Sequence, residues 1–432
     1  MLSTKLANFR KINLVYLYTL FLLFVLLLSF LFYEKFIIIY PGLIDINGDL
    51  IYKNLPFEYG KLIENIIKNN EYFSKISNIN FYLTRLPVFP FIIYLINLFS
   101  SKLLNIIIIK NIIFFSIIFL ICFSFAKEKG YKLKSFLLLL AIFFYNPFNL
   151  KIITNFVYAD YIVSILLPAL FIIIVSNIKK KYFYIGLILF ILYLTKSNMF
   201  FLSFGLSFFI LFYERKISPL LFVLVSMISW GTFGFIKTGK FPIGPSLLST
   251  NTHAMAISFN KDFREFYPLT SVDYIKLFNV GHCADQKTND PRCDSIIINN
   301  EWDYYNYYKN LNLQYLALNK KILFEDAILK VNTIFFNIYE DGQVYKKEER
   351  PEKKIIYSLI INKILLLISL FVAVYFFLKN LKSGNYKLEI YFLLIFCLSM
   401  PPYIIGWVLS RHLVALFFIS QIYLFLKFKS KK

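Results

Sequence analysis

The sequence predicts an all-α polytopic membrane protein with about ten transmembrane helices (8–12). Composition is the first reason. The chain is 58% hydrophobic and only 17% charged, against about 45–50% and about 25% in an ordinary soluble domain. The second is a succession of apolar runs, many near the roughly twenty residues that cross a bilayer as a helix. The third is that Lys and Arg gather between alternate runs, the signature of a membrane topology. Together these exclude a soluble globular enzyme, a disordered chain and a coiled coil.

The predicted spans are 14–33, 103–126, 136–156, 161–175, 182–194, 198–213, 220–236, 355–378, 388–400 and 407–426. The first follows Lys5, Arg10 and Lys11 and lacks a small-residue cleavage site, so it reads as a membrane helix and not as a signal peptide. Three regions follow: a transmembrane module over 1–236 that contains a first external loop at 34–102, an external region at 237–354, and terminal helices in 355–432. In the first loop, 59–76 and 89–99 are amphipathic and suit helices lying along the membrane surface. In the second, 311–338 has helical apolar spacing.

With a cytoplasmic N-terminus, the inner segments are 1–13, 127–134, 177–181, 214–216, 379–387 and 427–432. They hold 19 of the 47 Lys and Arg and only two of the 25 acids, Glu128 and Glu214, a net of +17 out of +22. The charge therefore orients the chain with both termini inside, in a cell (inner) membrane, and a nucleic-acid partner is excluded as the reason for it.

Cys122 and Cys397 lie in apolar runs, whereas Cys283 and Cys293 bracket nine polar residues. That spacing is wide for a metal motif and predicts a disulfide in an oxidising compartment. His253, His282 and His412 form no zinc pattern.

Six charged residues spread along the chain fall at one predicted boundary, the outer one: Asp45, Asp49, Arg85, Asp160, Lys196 and Arg411. Asp45 and Asp49 (IDINGDLIY) follow the first span, where a carboxylate suits a general base; a solvated loop aspartate is the plainer alternative. Arg85 (TRLPVFP) is a phosphate contact or an interfacial snorkelling arginine. Asp160 precedes the fourth span as a functional acid or an N-cap. Lys196 (LTKSN) sits in the turn of a hydrophobic hairpin, and Arg411 (WVLSRHLV) opens the last span. Two acids with several bases suit transfer from a lipid phosphate, the bases holding the leaving group and an acid activating the acceptor.

This order of features resembles the GT-C superfamily of membrane glycosyltransferases, in the branch of the protein O-mannosyltransferases and the bacterial lipid A aminoarabinose transferases. Asp49 and Tyr52 (DLIY) are similar to the acid and tyrosine that open the first external loop there, RLPVFP at 85–90 to an Arg-Pro-rich element, Asp160 to a second acid, and Arg411-His412 to a late Arg motif. Val88 stands where that element has Gly. The resemblance implies transfer of a sugar from a polyprenyl-phosphate donor to a glycan, lipid or protein acceptor. Asp49 would be the base, Asp45 its substitute, and Asp160 the acid that orients the acceptor or a divalent metal ion. Arg85, Lys196 and Arg411 would hold the donor phosphate. Members differ in metal dependence, so a divalent metal ion stays open. An O-antigen polymerase or ligase, and a lipid or solute transporter, are the alternatives. The charges at one face and the lack of a visible repeat speak against transport.

Overall fold

A computed structural model describes residues 14–39, 41–55, 59–76, 79–83, 85–155, 159–242, 244, 299–318, 321–336, 353–405 and 410–429. Among them the protein is all-helical apart from one small hairpin. Six helices among the described residues are long and apolar enough to cross a membrane: Leu14–Ile38, Leu103–Glu128, Ser218–Thr238, Lys353–Asn380, Lys387–Ile404 and Arg411–Lys429. Cys283 and Cys293, with His253 and His282, lie outside the described residues.

The chain begins with α1 (Leu14–Ile39), which packs on α4 (Leu103–Glu128). Polar side chains cross this contact, Tyr18 to Ser116 at 2.7 Å and Asn111 to Ser29 at 3.0 Å, and in an apolar surround such bonds fix one register. Between the two helices lie α2 (Tyr59–Asn69), strands β1 (Ser74–Ile76) and β2 (Ile79–Phe81), and α3 (Val88–Asn97). The amphipathic stretch 59–76 is thus only partly helix. Asn70 takes a left-handed conformation (φ 53°) just beyond α2, and 74–76 then pairs antiparallel with 79–81.

The predicted span 136–156 is broken into α5 (Leu133–Ala141) and α6 (Pro147–Thr154). Pro147 lacks the N–H a continuous helix needs. Asn146 stands extended and accepts the Asn149 N–H at 3.1 Å, so the chain stops and restarts there.

Then come α7 (Asp160–Val175), α8 (Lys181–Tyr193), α9 (Met199–Glu214) and α10 (Ser218–Thr238), each packed on the next. Every residue of α7 from Asp160 to Ile174 is buried. A helix apolar all round belongs inside a bundle, and α7 is enclosed by α4, α6, α8 and the last two helices. Further along come α11 (Glu301–Leu318) and α12 (Ile322–Phe335), two helices that cover most of the stretch 311–338 whose apolar spacing reads as helix. The chain ends with α13 (Lys353–Asn380), α14 (Lys387–Ile405) and α15 (Val414–Lys429).

Buried amides join α6, α13 and α15. Asn362 Oδ1 accepts from Asn146 at 3.2 Å and Gln421 at 2.9 Å, and its own amide donates to Asn149 at 2.7 Å. Replacing Asn362 with Leu strands these groups. The expected cost is about 1–2 kcal/mol, read as a lower thermal unfolding midpoint of the purified protein in detergent.

Candidate functional site

Charged side chains meet at the two ends of the bundle. At one end Glu214, the last residue of α9, accepts hydrogen bonds from Tyr182 and Tyr391 and pairs with Lys387 at 2.8 Å and Lys181 at 3.8 Å. Glu128, at the end of α4, accepts the Asn177 N–H at 2.8 Å from the link between α7 and α8. Lys427 of α15 pairs with Glu389 of α14. Consecutive helices therefore alternate in direction, and this end carries the Lys-rich segments.

The opposite end holds the candidate site. Asp160 opens α7 and is only 6% exposed. One carboxylate oxygen pairs with Lys196 in the turn between α8 and α9, and the other lies 3.8 Å from Nε of Arg411, just before α15. An acid in the first turn of a helix also suits its dipole. Tyr403 of α14 donates to the His412 carbonyl at 2.9 Å, beside Arg411. Burial pushes the Lys196 ammonium below the usual lysine value of 10.5; Asp160 opposes that shift, while Arg411 and Arg85 add to it.

Arg85 reaches the cluster from the segment between α1 and α4. Its guanidinium lies over the Tyr59 ring, 5.2 Å from the centroid, and its carbonyl accepts from Tyr72 at 2.8 Å. The Val88 N–H donates to the Leu194 carbonyl at 3.2 Å, which ties the start of α3 to the turn bearing Lys196. Four of the six candidates, Asp160, Lys196, Arg411 and Arg85, are thus brought together from four distant parts of the chain.

Asp45 and Asp49 are placed differently. The Asp45 side chain accepts the N–H groups of Asn47 and Asp49 at 2.9 and 2.8 Å, closing a turn through Gly48 (φ 79°). Asp49 pairs through its backbone with Lys102 and accepts the Ser101 hydroxyl at 2.6 Å. Tyr52 donates to Asn97 at the C-terminal end of α3. Burial, and then the charge of Asp49, push the Tyr52 hydroxyl above its usual value. Arg85 precedes the other end of this ten-residue helix, so a helix about 15 Å long stands between the Asp49 group and the cation cluster.

One participant was missed in the sequence. Lys110 is fully buried, and its ammonium donates to the carbonyls of Ile153, Thr154 and Asn155 at 3.3, 2.7 and 3.3 Å, with the Tyr161 ring 4.5 Å away. Three N–H donors meet three carbonyls at the end of α6, where the dipole favours a cation. The signal was there: a lysine inside the apolar run NIIIIKNIIFF, a costly placement by default. Lys110 fixes the corner from which α7 and Asp160 start.

Among the described residues no group of three or more His, Cys, Asp or Glu side chains is arranged to hold a metal ion. No family model, curated protein or solved structure matches the chain.

Asp160 compensates two largely buried cations. Asp160→Asn is expected to cost about 3 kcal/mol by removing the carboxylate charge that both cations face, whereas Asp45→Asn, whose amide oxygen still closes the turn, stays within about 0.5 kcal/mol of the parent. Thermal unfolding of the two purified variants tests the difference.

Proposed function

We propose that the chain is a membrane glycosyltransferase that moves a sugar from a polyprenyl-phosphate donor to a glycan, lipid or protein acceptor on the outer face of a cell membrane. The convergence of Arg85, Lys196 and Arg411 around Asp160 carries this reading. Transfer from such a donor leaves a phosphate whose negative charge grows in the transition state, and preorganised cations stabilise it there. Arginine suits a phosphate by its planar fork of donors. Asp160, held by two cations, is a poor proton acceptor; its role is to hold Lys196 and Arg411 in place.

The base in this reading is Asp49. Ser101 orients one of its oxygens, and among the described residues the other takes no hydrogen bond. For Asp49 to act, the acceptor oxygen has to meet both this carboxylate and the anomeric carbon, which is bonded to the phosphate oxygen, so the reading requires the loop that carries Asp49 to come within one sugar of the cation cluster when donor and acceptor are bound.

The same reading takes ten spans. α5 and α6 together form one, and α7, α8 and α9, each shorter than a usual span, cross among other helices of the bundle. Both termini are cytoplasmic, because the Glu214 end carries the excess of Lys and Arg.

Two experiments test this. In proteoliposomes supplied with radiolabelled polyprenyl-phosphate sugars, the parent chain is expected to release polyprenyl phosphate and form a covalent sugar product. Asp49→Asn, which keeps its Ser101 hydrogen bond and accumulates normally, loses about 100-fold or more in rate. Full activity of that variant removes Asp49 as the base, and movement of a sugar lipid without any covalent product favours a transporter. For orientation, in a Cys283→Ser/Cys293→Ser background, Asn47→Cys is expected to react with a membrane-impermeant maleimide on intact cells, and Ser383→Cys only after lysis.

A further inference from the structure

The loop that carries Arg85 is held from far along the chain. Glu301, the first residue of α11, is 2% exposed. Its two carboxylate oxygens accept the N–H groups of Tyr82 and Leu83, at 3.0 and 2.8 Å. These are consecutive amides just past the end of β2, two and three residues before Arg85. Leu83 is itself fully buried, and Tyr72 holds the Arg85 carbonyl from the other side.

Carboxylate bonds to backbone N–H groups are charge-assisted and short in reach. One carboxylate gripping two successive amides fixes both the position and the twist of the segment. The start of α11 is itself fixed: Asn300 accepts the N–H groups of Trp302 and Asp303 at 2.9 and 3.1 Å, and the Trp302 indole donates to Thr238 of α10 at 2.8 Å. A rigid path thus runs from α10 through α11 to the Arg85 loop. The next external helix, α12, packs on the turn that carries Arg411.

We propose that Glu301 is a positioning residue for the donor-phosphate site, acting through Arg85, so that the external region sets the affinity of the site for a lipid phosphate. The inference rests on the reading of Arg85, Lys196 and Arg411 as that site, and the test separates the two.

The probe is decaprenyl phosphate, titrated into the detergent-purified full chain. Arg85→Ala and Arg411→Ala are each expected to weaken binding about tenfold, as expected for a lost charge-assisted contact. Glu301→Gln keeps one acceptor and sets an NH2 group against the second amide. It is expected to weaken binding by a similar factor in the parent and to add nothing in the Arg85→Ala background, because coupled residues are not additive. A Glu301→Gln loss of the same size in both backgrounds overturns positioning through Arg85. Parent-like binding by Glu301→Gln, with both arginine variants weakened, overturns the inference and leaves the site reading standing. No binding by the parent, or parent-like binding by both arginine variants, overturns the site reading and the inference together. Should Glu301→Gln fail to accumulate, Glu301→Asp carries the same comparison with its charge kept and its reach shortened.

Discussion

The site end of the bundle depends on one buried carboxylate. Asp160 starts a helix with no exposed face, and an ionised acid there is tolerable only with cations beside it. Lys196 and Arg411 supply them from elements more than two hundred residues apart in sequence. The reverse holds as well. Without Asp160 the two cations would repel each other across a low-dielectric gap. The acid sets where the positive charge is gathered, and the gathered charge is what an anionic ligand would meet.

That arrangement also accounts for the uneven helices. The peripheral helices α1, α4, α10 and α13 are long, with exposed apolar faces such as Leu23, Leu27 and Phe371. The helices around the site are shorter: α7 has 16 residues, α8 13 and α9 16. Asp160 is the first residue of α7 and Lys196 lies in the turn that follows α8, so both charges fall at the ends of these short helices, where they pair. The same economy of buried polarity appears at Lys110 and Asn362, each satisfied by several partners from other helices.

Much of this was legible in the sequence because it follows from one-dimensional patterns. Apolar runs locate the helices, and the alternation of Lys-rich links puts Asp160, Lys196 and Arg411 at one end. What was not legible depends on side-chain packing or on local breaks. The split at Asn146–Pro147 lies inside an apolar run whose hydropathy hides it, although Pro147 was a local warning. The strand pair after α2 contains only three residues on each side, too few for a periodicity to show. Glu301 looks like any acid at the start of a helix, since its partners lie some 218 residues away and a contact of that range leaves no local mark. The separation of Asp49 from Arg85 was likewise hidden. Both lie at the same predicted boundary, and only the run of α3 between them shows that sharing a face differs from sharing a site.

α3 therefore stands between two groups of candidate residues. Its C-terminal end holds Tyr52 and, through the loop, Asp49 against the start of α4. Its N-terminal end holds Arg85 against the α8–α9 turn. Leaving-group stabilisation needs fixed positive charge in a water-poor place, whereas an acceptor must enter from solvent and meet a base with an accessible oxygen. The two ends differ in that sense: Asp160 is buried, while Asp49 sits in a loop, half-exposed, beside an exposed Asp45. A short helix braced at both ends holds the charged and the accessible parts apart. It lets each be held by a different partner, the bundle core on one side and the first loop on the other.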